Sequence, residues 1–270
     1  MGGALGEFCI YVGRLLLLTL GTVVLCGLSV RLCANAFSRL LGRGAERIFD
    51  VTAIIGTPIH ELGHALMCPL FGHRIQRIRL WSPTAQDGNY GFVEHCYSKK
   101  NWWARFGNLF IGIGPILSGL GVVVLTLCLC FPSAWSDYLV ATRDFSVTGG
   151  DVSALLGNVL RLLVSVVRSV GAVWWRSLLG IVVILSVALH VSLSWADIKS
   201  SLQALPIYFA LTLLFAGTST AFGMNDAIVS ALRLFNLRVL SLFCVVIAFA
   251  AVWVAIALVY RVCRTVRAWF

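Results

Sequence analysis

Six stretches of this chain, near residues 9–30, 50–69, 107–131, 175–196, 203–222 and 237–260, are each apolar over the roughly 20 residues that a helix needs to cross a bilayer. Few folds are open to such a chain. Every backbone N–H and C=O inside lipid must find its partner within the protein, and apolar runs of this length do so as helices. Composition agrees, because the sequence is 59% hydrophobic and only 12% charged, about half the charged fraction of an ordinary soluble domain. The expected fold class is an all-α integral membrane protein with about six transmembrane helices, forming one polytopic domain over residues 1–270. The first run lacks a short apolar core followed by a small-residue cleavage site, so it reads as a retained helix.

The net charge of +10 does not point to nucleic acid. Lys and Arg sit beside the apolar runs instead of forming a basic domain with interleaved aromatics, which fits membrane topology and contact with the lipid bilayer. Arg74, Arg77, Arg79, Lys99, Lys100, Arg105, Lys199, Arg261, Arg264 and Arg267 favour the cytoplasmic side. Arg31, Arg39, Arg43 and Arg47 then fall on the opposite side and stand as exceptions. The expected location is the plasma (inner) membrane of a prokaryote. Nine Cys are scattered with no C-x-x-C spacing, so neither a disulfide framework nor a thiolate metal site is expected.

Within the second run stands Thr57-Pro-Ile-His-Glu-Leu-Gly-His-Ala-Leu-Met67. Residues four apart share a helix face, so His60 and His64 can hold one Zn²⁺ while Glu61 acts as a base on water. A buried polar cluster that merely pins helices together is the plainer alternative. Ionisable groups at bilayer depth are costly and usually functional.

A catalytic zinc takes three protein ligands and keeps one position open, so a third ligand must come from elsewhere. The metzincin extension fails because Met67 and Leu70 stand where Gly and His are required. A later glutamate fails too, since Glu94 is the last in the chain and lies in a short polar segment. His73, His95, His190, Asp137, Asp144, Asp151 and Asp197 remain. Asp197 closes an apolar run and can reach a partner helix at the membrane boundary. His190, seven residues earlier on the same face, is the competing ligand or else a hydrogen-bond donor to substrate or oxyanion. A helix-end pair of Asp197 with Lys199 is the unremarkable reading.

With H-E-x-x-H in an apolar helix, a downstream Gly112-Ile-Gly-Pro-Ile-Leu-Ser-Gly119 and a late Ala196-Asp197-Ile198, the chain resembles the site-2 protease family of intramembrane zinc metalloproteases over residues 50–200. That resemblance implies Asp197 as the third ligand to Zn²⁺ beside His60 and His64; Glu61, from the motif, and His190, from its place near Asp197, are the expected catalytic residues. It also implies a transmembrane protein or peptide as substrate. The chain departs from the family in carrying Ser118 where Asn is usual and in lacking the Gly that follows the ligand Asp. Independently of kinship, Gly112, Gly114, Ser118, Gly119 and Gly121 suit close helix packing.

Residues 72–100 turn polar. Arg77-Ile-Arg-Leu-Trp81 alternates, Gln86-Asp-Gly-Asn89 is turn chemistry and Tyr90-Gly-Phe-Val93 can return, so a β-hairpin is expected directly after the active-site helix. Its edge can pair with an extended substrate. Residues 151–173 carry an apolar stripe that suits an amphipathic helix lying in the interface. Two other functions stay open at this point, a catalytically silent metal-containing membrane protein that binds partners and a cation transporter. The absence of an internal repeat disfavours the transporter.

Overall fold

A computed structural model describes residues 2–83, 90–143, 152–170 and 173–267. Helices α1 (Gly2–Leu16) and α2 (Thr22–Leu41) are joined by a π-helical turn, Leu17–Gly21, into one apolar rod. A π-turn disturbs the usual carbonyl pairing. Here Asn236 of a distant helix donates its amide to Leu18 O at 2.5 Å and to Thr22 Oγ1 at 3.0 Å. Gly42, at φ 59°, then reverses the chain in a conformation that side chains with a Cβ resist, and α3 (Arg43–Leu70) starts at once.

Strands β1 (Arg74–Arg79) and β2 (Phe92–Cys96) form an antiparallel pair after α3, with Arg77 opposite Glu94 and an irregularity between Ile75 and Arg77. Arg77 grips Glu94 through two bonds of 2.7 and 2.9 Å, and Arg79 lies 4.7 Å over the Phe92 ring. The expected turn at 86–89 lies outside the described residues. Helix α4 (Trp102–Cys130) begins where Asn101 Oδ1 accepts from the N–H groups of Trp103 and Ala104, a cap that satisfies two otherwise orphaned donors.

There follow α5 (Pro132–Arg143), α6 (Val152–Ser169), α7 (Trp174–His190), α8 (Trp195–Leu202), α9 (Leu205–Ala221) and α10 (Asn225–Arg267). Helix α6 falls in the stretch expected to be amphipathic, and it buries Leu155, Leu162 and Val166 against α5 and α10. The core gathers Val30 of α2, Ile116, Val123 and Leu127 of α4, Ile184 and Val187 of α7 and Phe243, Val245 and Val246 of α10.

Among the described residues, three helices are long and apolar enough to cross a membrane, Gly3–Leu41, Trp102–Cys130 and Asn225–Val266. Helices α7 and α8 make a fourth if their 60° bend is counted within one span. The other two expected runs fall short for physical reasons: α3 carries the charged residues of the motif, and α9 is only 17 residues long. The apolar run expected to continue to 196 breaks at Val191–Ser194, and that break shapes the site.

Candidate metal centre

The crossing of α3 and α4 comes first. A Cβ on Gly63 would fall 2.4 Å from Gly114 O, and one on Gly114 would fall 2.5 Å from Gly63 O, so the two backbones touch. Ser118 adds a bond from its hydroxyl to Ile59 O at 2.7 Å. Gly112 and Gly119 also meet neighbours closely, whereas Gly121 faces open space. The Gly-Pro segment therefore sets α4 against the turn of α3 that bears the motif.

On that turn His60 and His64 stand with ring centroids 5.1 Å apart. His60 donates its Nδ1–H to His190 O at 2.8 Å, and His64 donates its own to Ile111 O at 2.7 Å. A ring so engaged exposes Nε2 as a lone pair, which is how metal-binding imidazoles are oriented. Asp197 arrives from the start of α8. Ser194 caps this helix, accepting from Asp197 N–H at 3.1 Å, while Asp197 Oδ2 accepts from Ser194 N–H at 2.9 Å. The reciprocal cap holds the carboxylate in place. Its Oδ1 lies 3.2 Å from His64 Nε2 and its Oδ2 lies 3.9 Å from His60 Nε2.

One ligand atom from each of His60, His64 and Asp197 thus lies within 4.8 Å of the others, and Asp197 is buried. Three acceptors converge without an N–H or O–H among them to satisfy all three, and a divalent cation does so at once. The 3.2 Å separation is close to the ~3.4 Å between ligands of a tetrahedral centre with bonds of ~2.05 Å. The residues therefore fit a metal ion. No ion pair forms between Asp197 and Lys199 among the described residues.

The other candidates are engaged elsewhere. His73 and His95 share a bond between their Nδ1 atoms at 2.9 Å, and His73 Nε2–H donates to Ala104 O at 2.8 Å. His73 also stacks on Tyr97, which accepts from Asn108 and donates to Gln203. This network ties the base of the hairpin to α4 and α8. Asp137 accepts from Ser165 at 2.6 Å between α5 and α6. Asp144 and Asp151 lie outside the described residues. The His190 ring lies outside the group formed by His60, His64 and Asp197; its main-chain oxygen orients His60, and its Nδ1–H donates to Ser186 O at 3.0 Å.

A cavity of about 220 Å³ adjoins His60 and Glu61 and is lined by Phe49, Thr57, Tyr90, Gly91, Leu189, His190 and Ser192. Gly91 covers Glu61 so closely that a Cβ there would meet Glu61 Cγ at 2.8 Å. Tyr90 donates to Asp50 at 2.5 Å. Burial, followed by that bond, pushes its hydroxyl pKa up to about 12. Glu61 accepts no hydrogen bond from any described residue. Arg31 Nη1 donates to Leu193 O at 2.8 Å, pinning the break between α7 and α8.

Burial, then the neighbouring His73 and His64, hold the His95 pKa below its ordinary value. A proton therefore binds His95 more readily once the hairpin has opened. The stability this neutral ring contributes is complete above its unfolded value of about 6.5 and is lost as the pH falls. Acidification from about pH 7.5 to about pH 5.5 is expected to lower the protection factors of the β1 and β2 amides in the wild type, each taken against intrinsic exchange at the same pH, and His95→Gln is expected to flatten that response. Hydrogen exchange read by mass spectrometry checks it.

In comparisons with known proteins, the chain matches no family model, and neither curated proteins nor solved structures returned a match. What the fold and the site define is a helical membrane protein with a possible three-residue metal centre.

Proposed function

We propose that the protein is an intramembrane zinc metalloprotease of the site-2 protease type, cutting peptide bonds of transmembrane or membrane-proximal substrates. The observation that carries this reading is the convergence of three acceptor atoms beside a carboxylate that accepts no hydrogen bond among the described residues. A structural zinc site closes with four protein ligands, whereas three ligands with an adjacent free Glu match hydrolytic centres. The donor set of two imidazoles and one carboxylate, without thiolate, favours zinc.

A zinc ion held there supplies Lewis acidity that polarises a carbonyl and acidifies water. Glu61 takes a proton from the attacking water and returns it to the departing amine. Gly91 and Tyr90 limit solvent at Glu61, which strengthens electrostatics in the cavity. The hairpin holds an unwound substrate segment by strand addition. In the bilayer, α3 and α9 complete six crossings together with the apolar helices, in the plasma membrane of a prokaryotic cell. The silent-relative reading loses ground because Glu61 maintains no hydrogen bond among the described residues.

Purified protein incubated with single-span reporter substrates is expected to cut them, to stop after chelation and to recover when Zn²⁺ is restored. Cutting that persists in metal-free protein, or metal-loaded protein that cuts nothing in a broad reporter panel, sinks the proposal.

A further inference from the structure

Helix α6 divides into three sectors around its axis. Leu155, Leu162 and Val166 form the buried one. At the helical turn of about 100° per residue, the next sector holds Leu156, Leu160, Val164 and Val167, all of them exposed, Leu160 at 63% and Val167 at 70%. The third holds Arg161, Ser165 and Arg168, and both arginines are exposed. The inner face is already spent on α5 and α10, so the open apolar sector is not core. In a chain with helices that can cross a bilayer, such a sector faces acyl chains, and the basic sector beside it lies among headgroups.

The end of α6 agrees with that placement. Ser169 bonds through its hydroxyl to Ser133 at 2.9 Å and accepts at its carbonyl from Ser177 at 3.3 Å, so α6 ends beside the starts of α5 and α7. There Trp174 and Trp175 stand exposed, as tryptophans do at a membrane surface.

Between α5 and α6 lies a cleft of about 570 Å³, whose walls include Asp137, Arg161, Ser165 and Arg168 together with Leu160 and Val164. The two arginines, seven residues apart, sit on one face about 10 Å apart along the axis. Neither guanidinium has a hydrogen-bond or ion-pair partner among the described residues. Asp137 is turned to Ser165, from which its Oδ2 accepts at 2.6 Å, and two arginines against one carboxylate leave the cleft positive. Guanidinium groups suit phosphate oxygens. Leu160 and Val164 belong both to the cleft and to the open apolar sector, so a headgroup in the cleft continues into chains along α6. A merely solvated basic face would leave that sector uncovered.

We propose that the cleft between α5 and α6 binds an anionic phospholipid, with Arg161 and Arg168 on its phosphate and its acyl chains along Leu156, Leu160, Val164 and Val167. The site does not depend on the hydrolase reading.

Energy transfer from tryptophan to a phosphatidylglycerol with a fluorescent tail, added to the purified chain in detergent, reads the binding, and unlabelled phosphatidylglycerol, phosphatidylcholine and inorganic phosphate compete. Wild type is expected to bind the probe, to release it to phosphatidylglycerol and to hold it against the other two. Each basic residue near an anionic surface contributes about fivefold, so Arg161→Gln with Arg168→Gln weakens binding about thirtyfold. Arg261→Gln with Arg264→Gln removes the same charge from exposed residues at the end of α10 and leaves binding within about twofold. Thermal unfolding in phosphatidylcholine alone checks that the first pair is folded; if it is not, Arg168→Gln by itself, with an expected loss of about fivefold, decides in its place. The proposal is overturned if the α6 variants bind like wild type, if the α10 pair loses as much, or if phosphatidylcholine competes as well as phosphatidylglycerol. Displacement by millimolar inorganic phosphate would mark a site for soluble anions and overturn the lipid assignment.

Discussion

Replacing Glu61 by Gln is expected to reduce reporter cleavage by roughly 10²–10⁴-fold, the contribution of a positioned general base, while leaving bound zinc unchanged. In barrier terms this is about 3–5 kcal/mol, at about 1.4 kcal/mol per factor of ten. The separation of the two readouts follows from geometry. Glu61 lies outside the group formed by His60, His64 and Asp197, and no described residue depends on its carboxylate for a hydrogen bond. The amide of Gln keeps the shape of the side chain under Gly91, where space is tight, but takes up no proton at neutral pH. Zinc analysis and a cleavage time course on the same preparation check it. Full activity in the variant would leave the metal with a purely structural role.

Two alanine substitutions on one helix are expected to act in opposite directions. At Gly121 nothing lies within 4 Å of the added methyl, so Gly121→Ala gains the helix propensity of alanine over glycine, up to about 1 kcal/mol. At Gly114 the same methyl falls 2.5 Å from Gly63 O and 2.7 Å from its carbonyl carbon. Both obstacles are backbone, so relief requires α3 and α4 to part. Overpacking of this kind costs typically 1–3 kcal/mol and at times more, which exceeds the propensity gain. His64 follows Gly63 and binds Ile111 O on α4, so parting the helices also detaches a ligand. Gly114→Ala should therefore lower the melting temperature and the zinc content together, and Gly121→Ala should lower neither. Thermal unfolding in detergent with parallel metal analysis tests the pair.

The sequence carried the parts of the site whose chemistry is local. His60, Glu61 and His64 lie within five consecutive residues, and helical periodicity alone puts the two imidazoles on one face. Elimination left Asp197 open beside His190 and others, the family resemblance favoured it, and the fold brings it within 4.8 Å of the two imidazoles. The polar stretch after α3 announced a strand pair through alternation and turn residues. What stayed hidden depends on partners distant in sequence. The π-turn at Leu17–Gly21 relies on Asn236, more than 200 residues away in the chain, and no periodicity records it. The break at Val191–Ser194 sits inside a run whose hydropathy reads as unbroken; it exists because Ser194 caps a new helix and Arg31 holds Leu193 O. Arg31 did leave a trace, as a charge inside an apolar helix that orientation rules left unexplained. The pairing of His73 with His95 was invisible because each looked like a free metal ligand until the hairpin brought them together. The six expected runs exceed the helices that pass on length and apolarity because the polar motif in α3 and brevity in α9 defeat a purely hydropathic test.

The measurement that bears most directly on the account is X-ray absorption at the zinc edge on purified protein, alongside metal stoichiometry for wild type and Asp197→Ala. The account predicts one zinc per chain with two imidazole nitrogens and carboxylate or water oxygens at about 2.0–2.2 Å and no sulfur neighbour, and a sharp loss of zinc in the variant. A metal-free wild type, a sulfur ligand, or full zinc occupancy in Asp197→Ala would contradict it.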